Sequence, residues 1–551
     1  MDERMKIPQY TLEDYEQRFA ERHRLQDVLA KWAAVKPGAA ALVSAESGRA
    51  VSWSEFDRVT RALAGELLRL GFARGDFLVT VLPWSIELVL LQYGCFRIGV
   101  IVAPLDVRLS AADVNRAFEL LKPRGVVWPG VETKGGLDLN VLAEAAWRAA
   151  KDGAASPEAQ AAAEDAVTEN DGALVIFTTG STGSPKPALL SHRSITAQNM
   201  CLSGAFMGGD KGIRALVHLP PSHVGGQSEL LMSILFGGGT AVLMETFDAA
   251  RTLRTIAEHR VQILGQIPAM FQLEWMVKDY DRMDLSSLEY VVYGGNAVPK
   301  PFLERMATMA PVIGTGLGLT EASGFCTYAL AGAGDWESLA GGLGVAMPVY
   351  SCTIRQPMGE DGRAGEALAQ GTVGHVCFRG PQTFLGYVGD AAATAKTISS
   401  DGFLYTGDLG FMDGSGLHLT GREKWVIKSF SYQIFPGDVE EHICALAEQV
   451  ASCVVVGVDH KVASEAVVAL VEKRPGAALK ARELDRHARA LAAYMRPRHW
   501  MVLEPGQMPL NRIGKPDYVR AQAMAKDEIA KLRGEGGWDS GFAEAADRER
   551  P

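Results

Sequence analysis

The chain has 551 residues, 47% hydrophobic and 22% charged, with 55 Lys and Arg against 65 Asp and Glu for a formal charge of -10. That length exceeds one simple core, and the balance is that of a folded globular protein rather than a disordered or fibrous one. The acidic surplus offers no electrostatic footprint for nucleic acid or an anionic membrane surface.

In chain order, Met1 to Arg22 is highly charged and lacks the apolar segment of a secretory signal, so no export is expected. Ser52 and Glu55 have capping-box spacing ahead of Phe56, Val59, Leu63, Leu67 and Leu70 at helical intervals, with Gly71 placed to end the helix. A strand is expected from Gly75-Asp76 into Phe77 to Leu82. Leu88 to Leu105 is the most apolar stretch, but Gly94, Arg97, Gly99 and Pro104 interrupt it, which suits a buried helix followed by a strand better than a membrane span. Further apolar runs at Ile101 to Pro104, Gly125 to Trp128, Ala215 to Leu219, Thr240 to Met244 and Leu288 to Tyr293 alternate with helical stretches. The pattern argues for an α/β fold with largely buried sheets. Asp152 to Asn170, rich in Ala and acidic residues, reads as a surface helix or linker.

The seven cysteines are scattered and never spaced as C-x-x-C, which fits reduced thiols in the cytoplasm. The eleven histidines form no H-E-x-x-H set, so no transition-metal site is readable.

Thr178, Thr179, Gly180, Ser181, Thr182, Gly183 and Lys186 form a turn of hydroxyls, glycines and one cation directly after the apolar strand Ala173 to Phe177. Glycines let backbone N–H groups converge on anionic oxygens, while the hydroxyls add donors and the lysine adds charge. An ordinary Gly/Ser/Thr loop has a similar composition. The Walker pattern is absent and nothing marks a helix opening after Lys186, so ordinary P-loop NTPases are disfavoured.

Phe177 to Lys186 resembles the phosphate loop of the adenylate-forming superfamily, which includes acyl-CoA synthetases, aryl-CoA ligases, firefly luciferase and non-ribosomal adenylation domains. Pro187 stands where that family usually has glycine. The resemblance runs from Val51-Ser52-Trp53 to Gly514-Lys515. It implies a large multi-sheet α/β domain that binds AMP and the acid (1–421), a hinge (422–424), a smaller mobile α+β lid (425–533) and a polar tail (534–551). Within the lid, Pro436 to Val450 has Val439, Ile443, Leu446 and Val450 at helical spacing, followed by a strand over Cys453 to Val458.

The resemblance also implies roles. Gly314 to Glu321 resembles the family's aromatic-Gly-x-Thr-Glu motif, with Glu321 as Mg²⁺ ligand alongside Thr182, and Thr320 bonding the α-phosphate. Thr320-Glu321 would also suit the start of a helix. Gly316, Leu317 and Gly318 would lie against adenine and the acyl group, Leu317 replacing the usual stacking aromatic. Tyr293, Gly294, Gly295 and Asn296 resemble the strand-end segment beside the same groups. Asp408 and Arg422 match the ribose-binding positions, although a surface ion pair would look alike.

His223 matches the histidine near the acid carboxylate, with Ser222, Val224 and Gly225 as neighbouring substrate residues; a structural histidine is the alternative. Val224 stands where amino-acid-activating domains place aspartate, which disfavours an amino acid. Ser429, Phe430 and Ser431 resemble the pantetheine tunnel, Lys424 the hinge residue and Lys515 the lid lysine that bridges the attacking carboxylate and α-phosphate. The implied reaction joins a small carboxylic acid to CoA with ATP and Mg²⁺, the acid being apolar aryl, alicyclic or medium-chain. Loading of a carrier protein and a catalytically silent acyl- or nucleotide-binding sensor are the alternatives. No nucleic acid and no membrane span are expected, and a homodimer is compatible with the sequence.

Overall fold

The structure is a computed structural model that describes residues 10–109, 111–152, 158–178, 186–295, 298–429, 432–460, 463–511, 515–534 and 538. The chain divides into two compact units. The first comprises Met1–Ala367, Cys377–Thr406 and Met412–His418, and the second Leu368–Val376, Gly407–Phe411 and Leu419–Pro551.

In the first unit, a nine-stranded sheet has the order Val345–Ala346, Thr327–Gly332, Val312–Gly316, Tyr290–Gly294, Ile263–Gln266, Arg214–Val217, Thr240–Leu243, Ala40–Ser44 and Ala50–Ser52. The six strands from Val312–Gly316 to Ala40–Ser44 run parallel. Their near-continuous apolar sequences follow from burial on both faces, where Leu216, Val242, Leu264, Val291 and Ile313 pack with helix residues such as Ile256, Phe271 and Phe302.

A six-stranded sheet has the order Gly386–Tyr387, Lys186–Ser191, Gly172–Thr178, Ile101–Pro104, Phe77–Thr80 and Gly125–Val127. Its helices begin and end as their sequences require. Ser52 caps the helix Trp53–Arg69, its Oγ accepting the Glu55 N–H at 3.3 Å while Glu55 Oε2 accepts the Ser52 N–H at 2.9 Å. Gly71 follows at φ +80°, a left-handed position that costs glycine little. The apolar stretch resolves into the helix Ile86–Arg97 and the strand Ile101–Pro104. Arg97, which interrupts it, is buried, with Nε donating to Thr60 Oγ1 at 3.0 Å and Nη1 to Glu164 Oε2 at 3.2 Å, and with Asp57 as a further ion partner. The Ala-rich acidic segment contains the helix Glu158–Asp165.

The second unit is built on the long hairpin of Val450–His460 and Ser464–Lys473, whose side chains alternate between two apolar clusters. Val455, Val467, Ala469 and Val471 pack with Val439 and Ile443 of the helix Pro436–Cys444. Val454, Val456, Val468 and Leu470 pack with Ala521, Ala525 and Ile529 of the helix Tyr518–Gly534. The helix expected over Pro436 to Val450 stops at Cys444. Leu446 O accepts the N–H groups of Gln449 and Val450 in a turn, and Val450 instead opens the strand opposite Lys473. Long-range pairing thus overrides a helical spacing that Leu446 and Val450 satisfy locally. The strand is correspondingly longer than the expected Cys453 to Val458.

A four-stranded sheet has the order Ser351–Arg355, Gly374–Arg379, Leu404–Asp413 and Gly416–Arg422. Among the described residues, no helix is long and apolar enough to cross a membrane.

Candidate active site

The strands Gly172–Thr178 and Lys186–Ser191 form an antiparallel hairpin in which Thr178 lies opposite Lys186. The loop of hydroxyls and glycines therefore joins two paired strands, and Lys186 opens a strand rather than a helix. Thr179, Gly180, Ser181, Thr182 and Gly183 lie outside the described residues. The short strand Gly386–Tyr387 pairs with Leu189 and Ala188 of the same hairpin, which sets the Tyr387 ring 5.1 Å from the Lys186 Nζ.

The Tyr387 hydroxyl in turn donates to Glu321 Oε1 at 2.7 Å, and the Phe384 N–H donates to the Glu321 carbonyl at 2.9 Å. Burial, and then the Glu321 carboxylate beside it, raise the Tyr387 phenol above its ordinary value, so it remains a donor. Lys186, Tyr387 and Glu321 thus form one line of contacts. Tyr387 was not singled out from the sequence; only a lone aromatic after Gly386 marks it.

Thr320 and Glu321 lie in the single 3-10 turn Thr320–Ala322, which Ser323 ends in the left-handed region at φ +60°. No longer helix opens there. Upstream, Tyr293 pairs with Thr315 and Gly294 with Gly316 at the ends of parallel strands. A Cβ at Gly316 would stand 2.1 Å from the Thr327 carbonyl oxygen, so glycine is needed there for packing as well as for any ligand. Gly295 adopts φ +97° and is exposed; Asn296 lies outside the described residues. Leu317 is held by its backbone, its N–H donating to Thr327 Oγ1 at 2.9 Å.

His223 precedes the π-helical segment Gly225–Met232. The Gly225 N–H donates to His223 Nδ1 at 3.0 Å, so the neutral ring carries its proton on Nε2. Val224 is buried beside it and Ser222 is half-buried. Glu229, the one carboxylate in the run from Val224 to Phe236, reaches the same region. A Cβ at Gly318 would stand 3.0 Å from Glu229 Oε1, and one at Gly225 would stand 3.3 Å from Oε2. The carboxylate therefore lies between the His223 segment and the Gly316-Leu317-Gly318 segment.

The remaining expected residues belong to the second unit. Arg422 Nε donates to Asp408 Oδ1 at 2.8 Å, with the carboxylate buried and the guanidinium half exposed. Lys424 Nζ stands 4.9 Å over the Trp425 ring. Ser429 is buried opposite Tyr432 and Ser464 in register, and Phe430 and Ser431 lie outside the described residues. Lys515 is held by Asn511, whose N–H donates to the Lys515 carbonyl at 2.7 Å and whose Oδ1 accepts the Lys515 N–H at 2.9 Å.

Glu321 is a hard oxygen donor of the type that shares Mg²⁺ with substrate phosphates. Among the described residues, no group of three or more His, Cys, Asp or Glu could hold an ion by itself. A lone carboxylate of this kind fits a cation whose other ligands are phosphate oxygens.

Residues 29–388 match the family model described as AMP-binding enzyme, and residues 438–515 match AMP-binding enzyme C-terminal domain. The protein named 4-coumarate--CoA ligase-like 6 from Oryza sativa subsp. japonica is 31% identical over 519 residues, covering 88% of this chain and 84% of that protein. The protein named 4-coumarate--CoA ligase 5 from the same organism is 28% identical over 482 residues, covering 83% of this chain and 86% of its own length. Among solved structures, ATP-bound MatB from Rhodopseudomonas palustris shares the fold with a TM-score of 0.76 at 22% identity, covering 92% of this chain and 99% of that one. With the first model spanning well over half of its length, the chain belongs to the AMP-binding enzyme family, the adenylate-forming ligases.

Proposed function

We propose that this protein is an ATP-dependent carboxylate:CoA ligase that activates an apolar aryl, alicyclic or medium-chain acid as its acyl-AMP and passes the acyl group to CoA. The line from Lys186 through Tyr387 to Glu321 carries the reading, because it brings a cation and a hard carboxylate together beside a loop rich in N–H and hydroxyl donors. In the first step an oxygen of the acid attacks the α-phosphorus of ATP and the bond to pyrophosphate breaks. In the second the CoA sulfur attacks the acyl carbon, AMP leaves with the bonding pair, and the thiol proton passes to solvent.

Lys186 neutralises phosphate oxygens and Thr320 donates to the α-phosphate. Mg²⁺ held by Glu321, Thr182 and the phosphates would neutralise charge on the departing pyrophosphate. The Nε2 proton of His223 suits the acid's carboxylate. Asp408 accepts from the ribose hydroxyls with Arg422 beside it, while Gly294, Gly295, Asn296 and Gly316 to Gly318 bound the adenine and acyl groups. Residues 1–421 act as the body and 425–533 as a lid that turns at Lys424, delivering Lys515 for adenylation and opening the way past Ser429, Phe430 and Ser431 for the thiol. Action in the cytoplasm fits the reduced-thiol composition.

Tyr387→Phe keeps the ring beneath Lys186 but removes the hydroxyl from Glu321. It is expected to slow acid-dependent ATP–pyrophosphate exchange about tenfold, the worth of one hydrogen bond to a charged group on a partly exposed carboxylate. An exchange rate equal to wild type would remove Tyr387 from the site.

The decisive assay follows CoA-dependent AMP formation across benzoate, cinnamate, cyclohexanecarboxylate and octanoate. AMP and thioester formed together with one or more of these acids support the proposal. Product formed only on a phosphopantetheinylated carrier would replace CoA as acceptor. Absence of pyrophosphate release with every acid would favour the sensor.

A further inference from the structure

Glu440, on the helix Pro436–Cys444, is part-buried and fully engaged on one side. Its Oε1 accepts the Val455 N–H at 2.7 Å, and both of its oxygens accept the Tyr518 hydroxyl at 2.7 Å. Tyr518 is the first residue of the helix Tyr518–Gly534 and stands three positions after Lys515. Its ring packs on Trp425 with centroids 5.4 Å apart and planes at 31°. Trp425 closes the turn Glu423–Trp425, which directly follows Arg422 and contains Lys424.

The other side of Tyr518 leads to Lys515 through backbone that is itself tied down. The Asp517 N–H donates to the Pro509 carbonyl at 2.8 Å, and Asp517 Oδ1 accepts the Arg520 N–H at 3.0 Å, so the helix starts rigidly just past the lysine. Tyr518 therefore touches Trp425 at the end of the turn bearing Lys424 and, through Pro516 and Asp517, bears on the lysine that the proposed reaction needs.

We propose that Tyr518, clamped by Glu440, is a positioning residue that fixes the Lys515 segment relative to Trp425, so that the lysine and the residue just past the hinge move as one body. The inference rests on the ligase reading and on Lys515 acting in adenylation. A transition-state contact weakens steeply with small misplacement, so loosening this joint lowers the rate without altering the ground-state affinity for ATP. Burial pushes the Glu440 carboxyl up to about 7, so at pH 8 it is mostly ionised and its bond to the Tyr518 hydroxyl is charge-assisted.

Tyr518→Phe keeps the ring on Trp425 and removes only the hydroxyl. At pH 8 the full-length variant, wild type and Lys515→Ala are compared in acid-dependent ATP–pyrophosphate exchange and in thioester formation from supplied acyl-AMP and CoA. The expected result is an exchange kcat about tenfold lower, with the KM for ATP and the thioester step within about twofold of wild type. Glu440→Gln is expected to act in the same direction and carries the same test should Tyr518→Phe fail to fold. The double variant should be no slower than the slower single one, because both changes break one link. An active wild type with an indifferent Tyr518→Phe, equal losses in both half-reactions, or additive losses in the double variant would overturn the proposal. A wild type without any acid-dependent exchange would instead overturn the ligase reading itself.

Discussion

Replacing Lys515 by alanine is expected to slow acyl-AMP formation about 10²- to 10³-fold, while thioester formation from supplied acyl-AMP stays within a few-fold of wild type. Two anions, the acid's carboxylate and the α-phosphate, must meet in the first half-reaction, and negative charge concentrates on the pentavalent phosphorus and the departing pyrophosphate. A cation that bridges both oxygens is worth more in that transition state than in the ground state, so its loss falls on kcat. Removal of one such stabilising donor costs roughly 3 to 4 kcal/mol. The thioester step begins from a mixed anhydride whose carboxylate charge is already gone, and the same cation has little to stabilise. Asn511 holds the Lys515 backbone from both its N–H and its side-chain oxygen, so truncating the lysine side chain leaves these two backbone bonds intact. Single-turnover measurement of each half-reaction checks the split, and equal losses in both would contradict it.

Glu274→Gln is expected to stabilise the folded protein by about 3 to 4 kcal/mol at pH 7.5 and to change stability little at pH 4.5. Glu274 lies on the helix Pro268–Trp275 with no exposed surface, and burial pushes its carboxyl from the usual 4.5 up to about 8. His218 Nε2 lies 2.9 Å from Gln266 Oε1, and Gln266 Nε2 donates to Glu274 Oε2 at 2.8 Å, a chain from one neutral group to the next. Burial likewise pulls His218 down to about 4, so the imidazole offers no cation to the carboxylate.

The sign follows from linkage. Between pH 4.5 and 8 the folded state keeps a proton that the unfolded state has released, so stability present below 4.5 is lost progressively as pH rises through 8. The glutamine amide is nearly isosteric with the neutral acid, accepts the same Gln266 N–H and carries no such penalty. Urea midpoints of wild type and variant, compared at pH 4.5 and 7.5, test this. A variant destabilised equally at both would show that Glu274 stays ionised in the fold.

Local sequence determined what depends on neighbours along the chain. Ser52 with Glu55 starts a helix because both partners of the capping box lie within one turn, and Gly71 ends it because only glycine enters the left-handed region cheaply. The apolar run into Thr178, the turn of hydroxyls and glycines, and Lys186 beyond it likewise mark a strand, a loop and a cation with no knowledge of the fold. The family motifs extend the expectation of a site to Glu321, Asp408, Arg422 and Lys515, since each sits in a short pattern of its own.

Tertiary structure decided everything that joins distant segments. Tyr387 reaches Glu321 and Lys186 only because the strand Gly386–Tyr387 pairs with Leu189 and Ala188, nearly two hundred residues earlier. Glu229 faces Gly318, Tyr518 reaches Trp425 and Glu440, and Val450 leaves an apparent helix to pair with Lys473. Chain periodicity records which face of an element is apolar but not which partner covers it, and those partnerships are selected by the packing of whole sheets and helices at once.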